Sequence, residues 1–135
     1  MVLVDTSVLI NYFKGQTDTK TELFVTILSR DVPFGISGYT YQELLQGSRS
    51  EKEFQQLKEY LGSQQLYLLP KTAVMHERAA RMYYDLRRSG VTIRSTIDVL
   101  IALTAIQNNL HLLHNDRDFD VMAERFPKLK ILNSL

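Results

Sequence analysis

Four carboxylates in this chain stand just beyond a strand or in the opening turn of a helix: Asp5, Glu43, Asp98 and Asp116. Acidic side chains gathered at one place repel one another unless a cation joins them, and hard divalent ions such as Mg²⁺ or Mn²⁺ match oxygen ligands. Metal-assisted hydrolysis is the chemistry such a set would support. Rival chemistries lack their residues. The chain has no cysteine, so disulfides, thiolate nucleophiles and cysteine-based zinc or iron–sulfur sites are excluded. Its three histidines, His76, His111 and His114, fall in no H-E-x-x-H spacing. No serine triad and no glycine-rich phosphate loop is legible.

Each acid also has a purely structural reading. Asp5, in Asp5-Thr6-Ser7, can be the N-cap of the following helix. Glu43 lies three residues after Thr40, the spacing of a capping box. Asp98 can be a first-turn acid favoured by the helix dipole, but the helix after it is apolar almost all round, so its carboxylate should lie near the interior. In Asn115-Asp116-Arg117-Asp118-Phe119-Asp120, Asp116 is the best-placed ligand. Asp118 is either a further ligand or a helix-start acid, and Asp120 reads as solvated surface charge. Thr6, Ser7, Arg94 and His114 could contact substrate or phosphate. Capping by Thr6 and Ser7, and packing of the His114 ring at a strand end, compete with that. Tyr12, Tyr39 and Tyr41 could stack bases, though packing is the simpler use. Arg87-Arg88 complement the C-terminal end of a helix dipole.

The elements that would carry these groups alternate. Short apolar strands are expected at 2–4, 34–37, 66–69, 110–113 and 129–132. Helices are expected over Thr6–Lys14 (stopped by Gly15), Thr19–Leu28 (capping box Thr19/Glu22), Thr40–Gln46 (stopped by Gly47), Ser50–Leu61 (stopped by Gly62), Thr72–Arg88 (ended by Gly90), Ile97–Gln107 and Arg117–Phe126. Alternation of this kind predicts an α/β fold on a largely parallel sheet, whose ligands bind beyond the carboxyl ends of the strands.

Length and composition fit one domain over residues 1–135, and 44% apolar content predicts a folded one. No apolar run nears the roughly 18 residues of a membrane span, and Asp5 interrupts the first apolar run, so a soluble, cytoplasmic protein is expected. Net charge is +1; with the four acids set aside the remainder carries +5, which suits a polyanionic substrate.

The chain resembles the PIN-domain nucleases, and among them the VapC-type toxins of toxin–antitoxin pairs. Four segments carry the likeness, in order and across nearly the whole chain: Val4-Asp5-Thr6-Ser7-Val8-Leu9-Ile10; Ser37-Gly38-Tyr39-Thr40-Tyr41-Gln42-Glu43-Leu44 followed by Gly47; Asp98-Val99-Leu100-Ile101-Ala102; and Leu113-His114-Asn115-Asp116-Arg117-Asp118-Phe119. The resemblance implies a five-stranded parallel sheet of order 3-2-1-4-5 with helices on both faces. It implies an endoribonuclease whose Mg²⁺ (or Mn²⁺) is held by Asp5, Asp98 and Asp116, with Glu43 as a ligand or as the orienter of a water. Asp118 matches a less uniform acidic position. The implied products carry a 3′-hydroxyl and a 5′-phosphate. His114 departs from the pattern, since the family commonly has Thr or Ser there.

Implied partners are RNA, a small antitoxin protein and a second copy of the chain. The helices at Thr19–Leu28 and Ser50–Leu61 present Phe24, Leu28, Phe54 and Tyr60 as candidates for such a surface. Two other readings compete: a non-catalytic nucleic-acid-binding module on the same fold, and a DNA-directed nuclease. A Mg²⁺-dependent phosphatase fits less well, because its chemistry wants a second Asp two residues after the first and Ser7 stands there.

Overall fold

The computed structural model describes Met1–Leu135. Strand β1 (Val2–Val4) leads into α1 (Thr6–Phe13) and α2 (Thr19–Ser29). Next come β2 (Phe34–Ser37), α3 (Gly38–Gln46), α4 (Glu51–Gly62) and β3 (Gln65–Tyr67). The chain closes with α5 (Ala73–Arg88), α6 (Thr96–Gln107), β4 (His111–Leu113), α7 (Arg117–Arg125) and β5 (Lys130–Ile131). Every expected element is present, with ends displaced by one or two residues.

The sheet is parallel throughout and ordered β3-β2-β1-β4-β5, the order the resemblance implied. β1 and β4 are central neighbours, Val4 facing Leu113. The ladder runs one bond further: the Asp5 N–H donates to the Leu113 carbonyl at 2.9 Å. The carboxyl ends of the two central strands therefore finish level, Asp5 beside His114.

Strand alternation divides the core into two layers. Leu3 and Leu112 pack on one face with Leu86, Val99, Leu103 and Met122 from α5, α6 and α7. Val2, Val4 and Leu113 pack on the other with Leu9, Phe24 and Leu61 from α1, α2 and α4. Helix α6 is buried nearly all round, with Val99, Ile101, Ala102, Leu103, Thr104 and Ala105 inside. Its one buried hydroxyl, Thr104, is satisfied by donating to the Leu100 carbonyl at 2.8 Å.

Two capping expectations are corrected. α2 is capped by Asp18, whose carboxylate accepts from the Thr21 N–H at 2.8 Å and the Thr21 hydroxyl at 3.0 Å, so Thr19 is the first helical residue rather than the cap. α3 starts straight off β2 and is capped by Ser37, which accepts from the Thr40 N–H at 3.0 Å. The capping box expected of Thr40 and Glu43 does not form, and Glu43 is left for another use. Gly62 lies inside α4, whose C-cap is Ser63. Gly15 and Gly90 follow α1 and α5 in the left-handed conformation, φ +71° and +83°, where glycine has no steric penalty. Phe24 is fully buried and unavailable to a partner. Tyr12, Tyr39 and Tyr41 are half-buried and packed against the two cores.

The edge of the sheet depends on a close approach at Gly35, in β2. A methyl group there would meet the Tyr67 ring at 2.5 Å and the Gln65 carbonyl at 2.6 Å. The carbonyl belongs to the β3 backbone and cannot swing aside. Gly35→Ala should destabilise the protein by about 1–3 kcal/mol in urea unfolding, whereas Gly47→Ala, whose nearest neighbours stand at 3.6 Å or more, should change stability little.

Candidate metal centre

Three carboxylates converge where α6 and α7 begin. One oxygen each of Asp98, Asp116 and Asp118 lie within 4.8 Å of one another, all three residues half-buried. Asp98 arrives on the first turn of α6, which Ser95 caps, so its carboxylate is not spent on capping. Asp116 is the N-cap of α7: its Oδ1 accepts from the Asp118 N–H at 2.9 Å. Asp118 follows in the first turn of the same helix.

Asp5 stands at the end of β1 and is only 4% exposed. Its Oδ2 caps α1, accepting from the Ser7 N–H at 3.0 Å and the Ser7 hydroxyl at 2.6 Å. Ser7 in turn accepts from the Asn115 N–H at 2.9 Å, tying the β1–α1 turn to the β4–α7 turn. The other oxygen, Asp5 Oδ1, is buried and has no hydrogen-bond partner. The capping reading of Asp5 holds for one of its two oxygens. One oxygen caps; the second is bare in a place where a bare carboxylate oxygen is costly.

Glu43 reaches the same end of the sheet from α3. Its Oε1 accepts from the Thr6 hydroxyl at 2.8 Å, and Thr40 Oγ1 lies 3.1 Å from that hydroxyl. Thr6, Thr40 and Ser37 are all buried, so this is a built polar bridge between α1 and α3.

The electrostatics follow. Burial, and then the carboxylates of Asp5, Asp116, Glu43 and Asp118, push the Asp98 carboxyl up to about 7. Asp5 is pushed up to about 6, chiefly by burial and further by Glu43, although its bonds to Ser7 pull the other way. Glu43 and Asp5 lie outside the tight trio yet belong to the same field. One cation tempers the cluster. Arg94 lies 3.9 Å from Asp116 Oδ1 and 3.7 Å from Asp118 Oδ2, with its side chain 80% exposed. At those distances it is a loose, water-screened partner.

His114 is 1% exposed and packs against Phe119, with ring centroids 5.1 Å apart. Its Nδ1 accepts from the Asp116 N–H at 3.1 Å, so the ring proton sits on Nε2, which faces Asp120 Oδ1 at 3.1 Å. Burial keeps the imidazole below its usual range despite Asp120. Asp120, read from sequence as surface charge, is the outer anchor of this ring. That role could have been suspected only from a histidine at a strand end followed by an acid in the next helical turn.

The residues fit a hard divalent cation. The site offers carboxylate oxygens in excess, an orphaned buried oxygen at Asp5, and two carboxyls raised chiefly by burial and further by their acidic neighbours.

Comparison with known proteins gives the family of the chain. The PIN domain family model matches residues 2–125. A VapC ribonuclease of Mycobacterium bovis and Ribonuclease VapC11 of Mycobacterium tuberculosis are each 30% identical over 128 residues, spanning 91% of this chain and 92% of theirs. Among solved structures, VapBC2 of Rickettsia felis bound to a promoter DNA fragment superposes with TM-score 0.70 at 22% identity, covering 98% of both chains. FitAcB of Neisseria gonorrhoeae superposes with TM-score 0.69 at 21% identity, covering 98% of this chain and 97% of that one.

The raised carboxyls set a pH dependence. Asp5 and Asp98 hold protons in the folded state up to about 6 and about 7, against 3.8 as the ordinary value. The folded protein then binds more protons than the unfolded one across that window, so their contribution to stability is present at low pH and lost as pH rises. Metal-free protein should therefore melt lower at about pH 8 than at about pH 5, and Asp98→Asn should flatten that fall. Saturating Mg²⁺ should raise the melting point, by the equivalent of about 2.7 kcal/mol at about 100 times its Kd. An undiminished Mg²⁺ response in both Asp5→Asn and Asp98→Asn would show the cluster to be structural.

Proposed function

The chain belongs to the PIN-domain family, and from that premise we propose that it is a Mg²⁺-dependent endoribonuclease and the toxin of a VapBC-type toxin–antitoxin pair. The observation that carries this reading is the convergence of Asp98, Asp116 and Asp118 beside the bare, buried oxygen of Asp5. These four residues would hold the cation. When bound, Mg²⁺ (or Mn²⁺) supplies the positive charge that neutralises phosphoryl oxygens and makes a nearby water a better nucleophile.

The chain's own groups do the rest. Ser7 fixes the Asp5 carboxylate in place by two hydrogen bonds. Thr6 occupies Oε1 of Glu43, which leaves Oε2 to orient a water and take its proton. Arg94, only loosely paired with Asp116 and Asp118, is free to move to a phosphate once a cation replaces it. His114, buried with both ring nitrogens engaged, holds the β4–α7 turn that presents Asp116. The expected products carry a 3′-hydroxyl and a 5′-phosphate.

For the antitoxin, the proposed seat is the groove between α1, α3 and α4. It encloses about 530 Å³ and is lined by Ile10, Phe13, Leu57 and Tyr60 among others. Ile10, Phe13 and Tyr60 are each about two-fifths exposed, at 39%, 42% and 39%. An apolar trough of this size takes an amphipathic segment of a partner. VapBC and FitAB complexes among the structural neighbours support such a partner. A homodimer acting in the cytoplasm completes the proposal; no helix is long and apolar enough to cross a membrane.

Two experiments test this reading. Purified protein should cut RNA with Mg²⁺ and not in EDTA. Asp98→Asn and Asp116→Asn should each lose about 100-fold or more in rate, if the missing charge stabilised the transition state by roughly 3 kcal/mol. Asp116→Asn should keep its fold, because Asn caps a helix about as well as Asp. Wild-type cutting by both folded variants would place the chemistry elsewhere. In cells, expression should arrest growth, co-expression of the cognate antitoxin should restore it, and Phe13→Glu should weaken that rescue. Growth unaffected by verified active protein would remove the toxin role.

A further inference from the structure

A second groove, of about 520 Å³, runs between α5 and α6 on the face away from α1, and the reading above gives it no work. His76, Tyr83, Tyr84 and Arg87 line it from α5, and Thr96 and Leu100 from α6. Thr96 is the first residue of α6 and stands two positions before Asp98, so one end of the groove lies at the helix end that also carries an acid of the centre.

Its walls combine two chemistries. Tyr84 is 40% exposed. The Arg81 and Arg88 guanidiniums lie over its ring, 5.4 and 5.8 Å from the centroid. Of the α5 arginines, Arg87 lines the groove and Arg88 lies over the Tyr84 ring at its edge, while Arg78 and Arg81 line a separate hollow with Phe126 and Lys128. Asp85 is already paired with Arg81 at 3.2 Å, and Arg87 and Arg88 remain exposed without an acidic partner. Aromatic faces for bases and arginines for phosphates are what single-stranded nucleic acid needs. Two exposed arginines with no acidic partner at the end of this groove suit a polyanion better than an apolar protein segment.

We infer that the α5–α6 groove is the track for the single-stranded RNA segment that flanks the scissile phosphodiester, with Tyr84 stacking a base and Arg87 and Arg88 holding phosphates. This rests on the ribonuclease reading, and it adds where the rest of the strand lies. The track predicts a preference for unpaired RNA, since a base must leave its helix to stack on Tyr84.

The test is fluorescence anisotropy of the full-length protein with a fluorescein-labelled single-stranded RNA in EDTA, where no cutting occurs. Tyr84→Ala should weaken binding about tenfold. Arg87→Ala should weaken it and lower the slope of log K against log salt by about 0.7, one phosphate contact on a single strand. Arg30→Ala, which removes a cation from the end of α2, should change neither. A fully paired RNA hairpin should bind more weakly than the single strand. Thermal melts check that each variant is folded, and sedimentation reports its oligomeric state.

Unchanged affinity and salt slope in both groove variants would overturn the inference, and if the protein still cuts RNA with Mg²⁺ the nuclease reading stands without it. Conversion of a wild-type dimer to monomer by Tyr84→Ala or Arg87→Ala would also overturn it, by showing that a second copy of the chain covers this face. Weakened binding in folded variants of unchanged oligomeric state supports the track. Should that protein fail to cut, the failure counts against the nuclease reading alone.

Discussion

Mutual repulsion among carboxylates that the fold has removed from water is the constraint around which this molecule is built. Asp5 is almost fully buried and Asp98 half-buried, and the latter feels the charge of Asp5, Asp116, Glu43 and Asp118 together. Nothing in the chain cancels that charge at close range. Arg94 stands nearly 4 Å off and mostly in water. The folded chain therefore carries a local cost that a divalent cation would relieve, and the rest of the structure must be stable enough to bear it.

The fold bears it by using rigid parts. Asp5 and the β4–α7 turn are placed by the two central strands, which share a ladder of hydrogen bonds and sit between two apolar layers. Asp98 is placed by the most deeply buried helix of the protein. Glu43 comes from a helix that begins directly at the end of β2 and is tied to α1 through Thr6. Carboxylates on such elements cannot drift apart to relieve their repulsion, so the site is organised before any ligand arrives.

Several polar groups serve fold and site at once. Asp5 and Asp116 each cap a helix with one oxygen. Ser7 joins two turns while holding Asp5, and His114 is buried and bonded to both Asp116 and Asp120, which ties the turn after β4 to α7. The hydroxyl that the family commonly places at the His114 position is replaced here by a ring packed on Phe119, which shapes the turn by packing and two hydrogen bonds instead.

The sequence alone determined everything that depends on near neighbours along the chain. Apolar runs and their period placed all twelve elements, glycines marked the ends of α1 and α5, and the acids could be located at strand ends and helix starts. The family likeness supplied the strand order, which short parallel strands do not encode locally. Tertiary structure alone decided which bonds each acid makes. Glu43 looked like half of a capping box because Thr40 lies three residues before it. It instead meets Thr6, 37 residues away in sequence, once β1 and β2 pair. Asp118 joined Asp98 and Asp116 because α6 and α7 begin at the same edge of the sheet, and Asp120 became the anchor of His114 by the same packing. Asp5 taken alone reads more readily as a cap than as a ligand, since a cap is a bond over two residues while a metal site is a meeting of distant segments. Only the structure shows that one oxygen caps and the other is left bare.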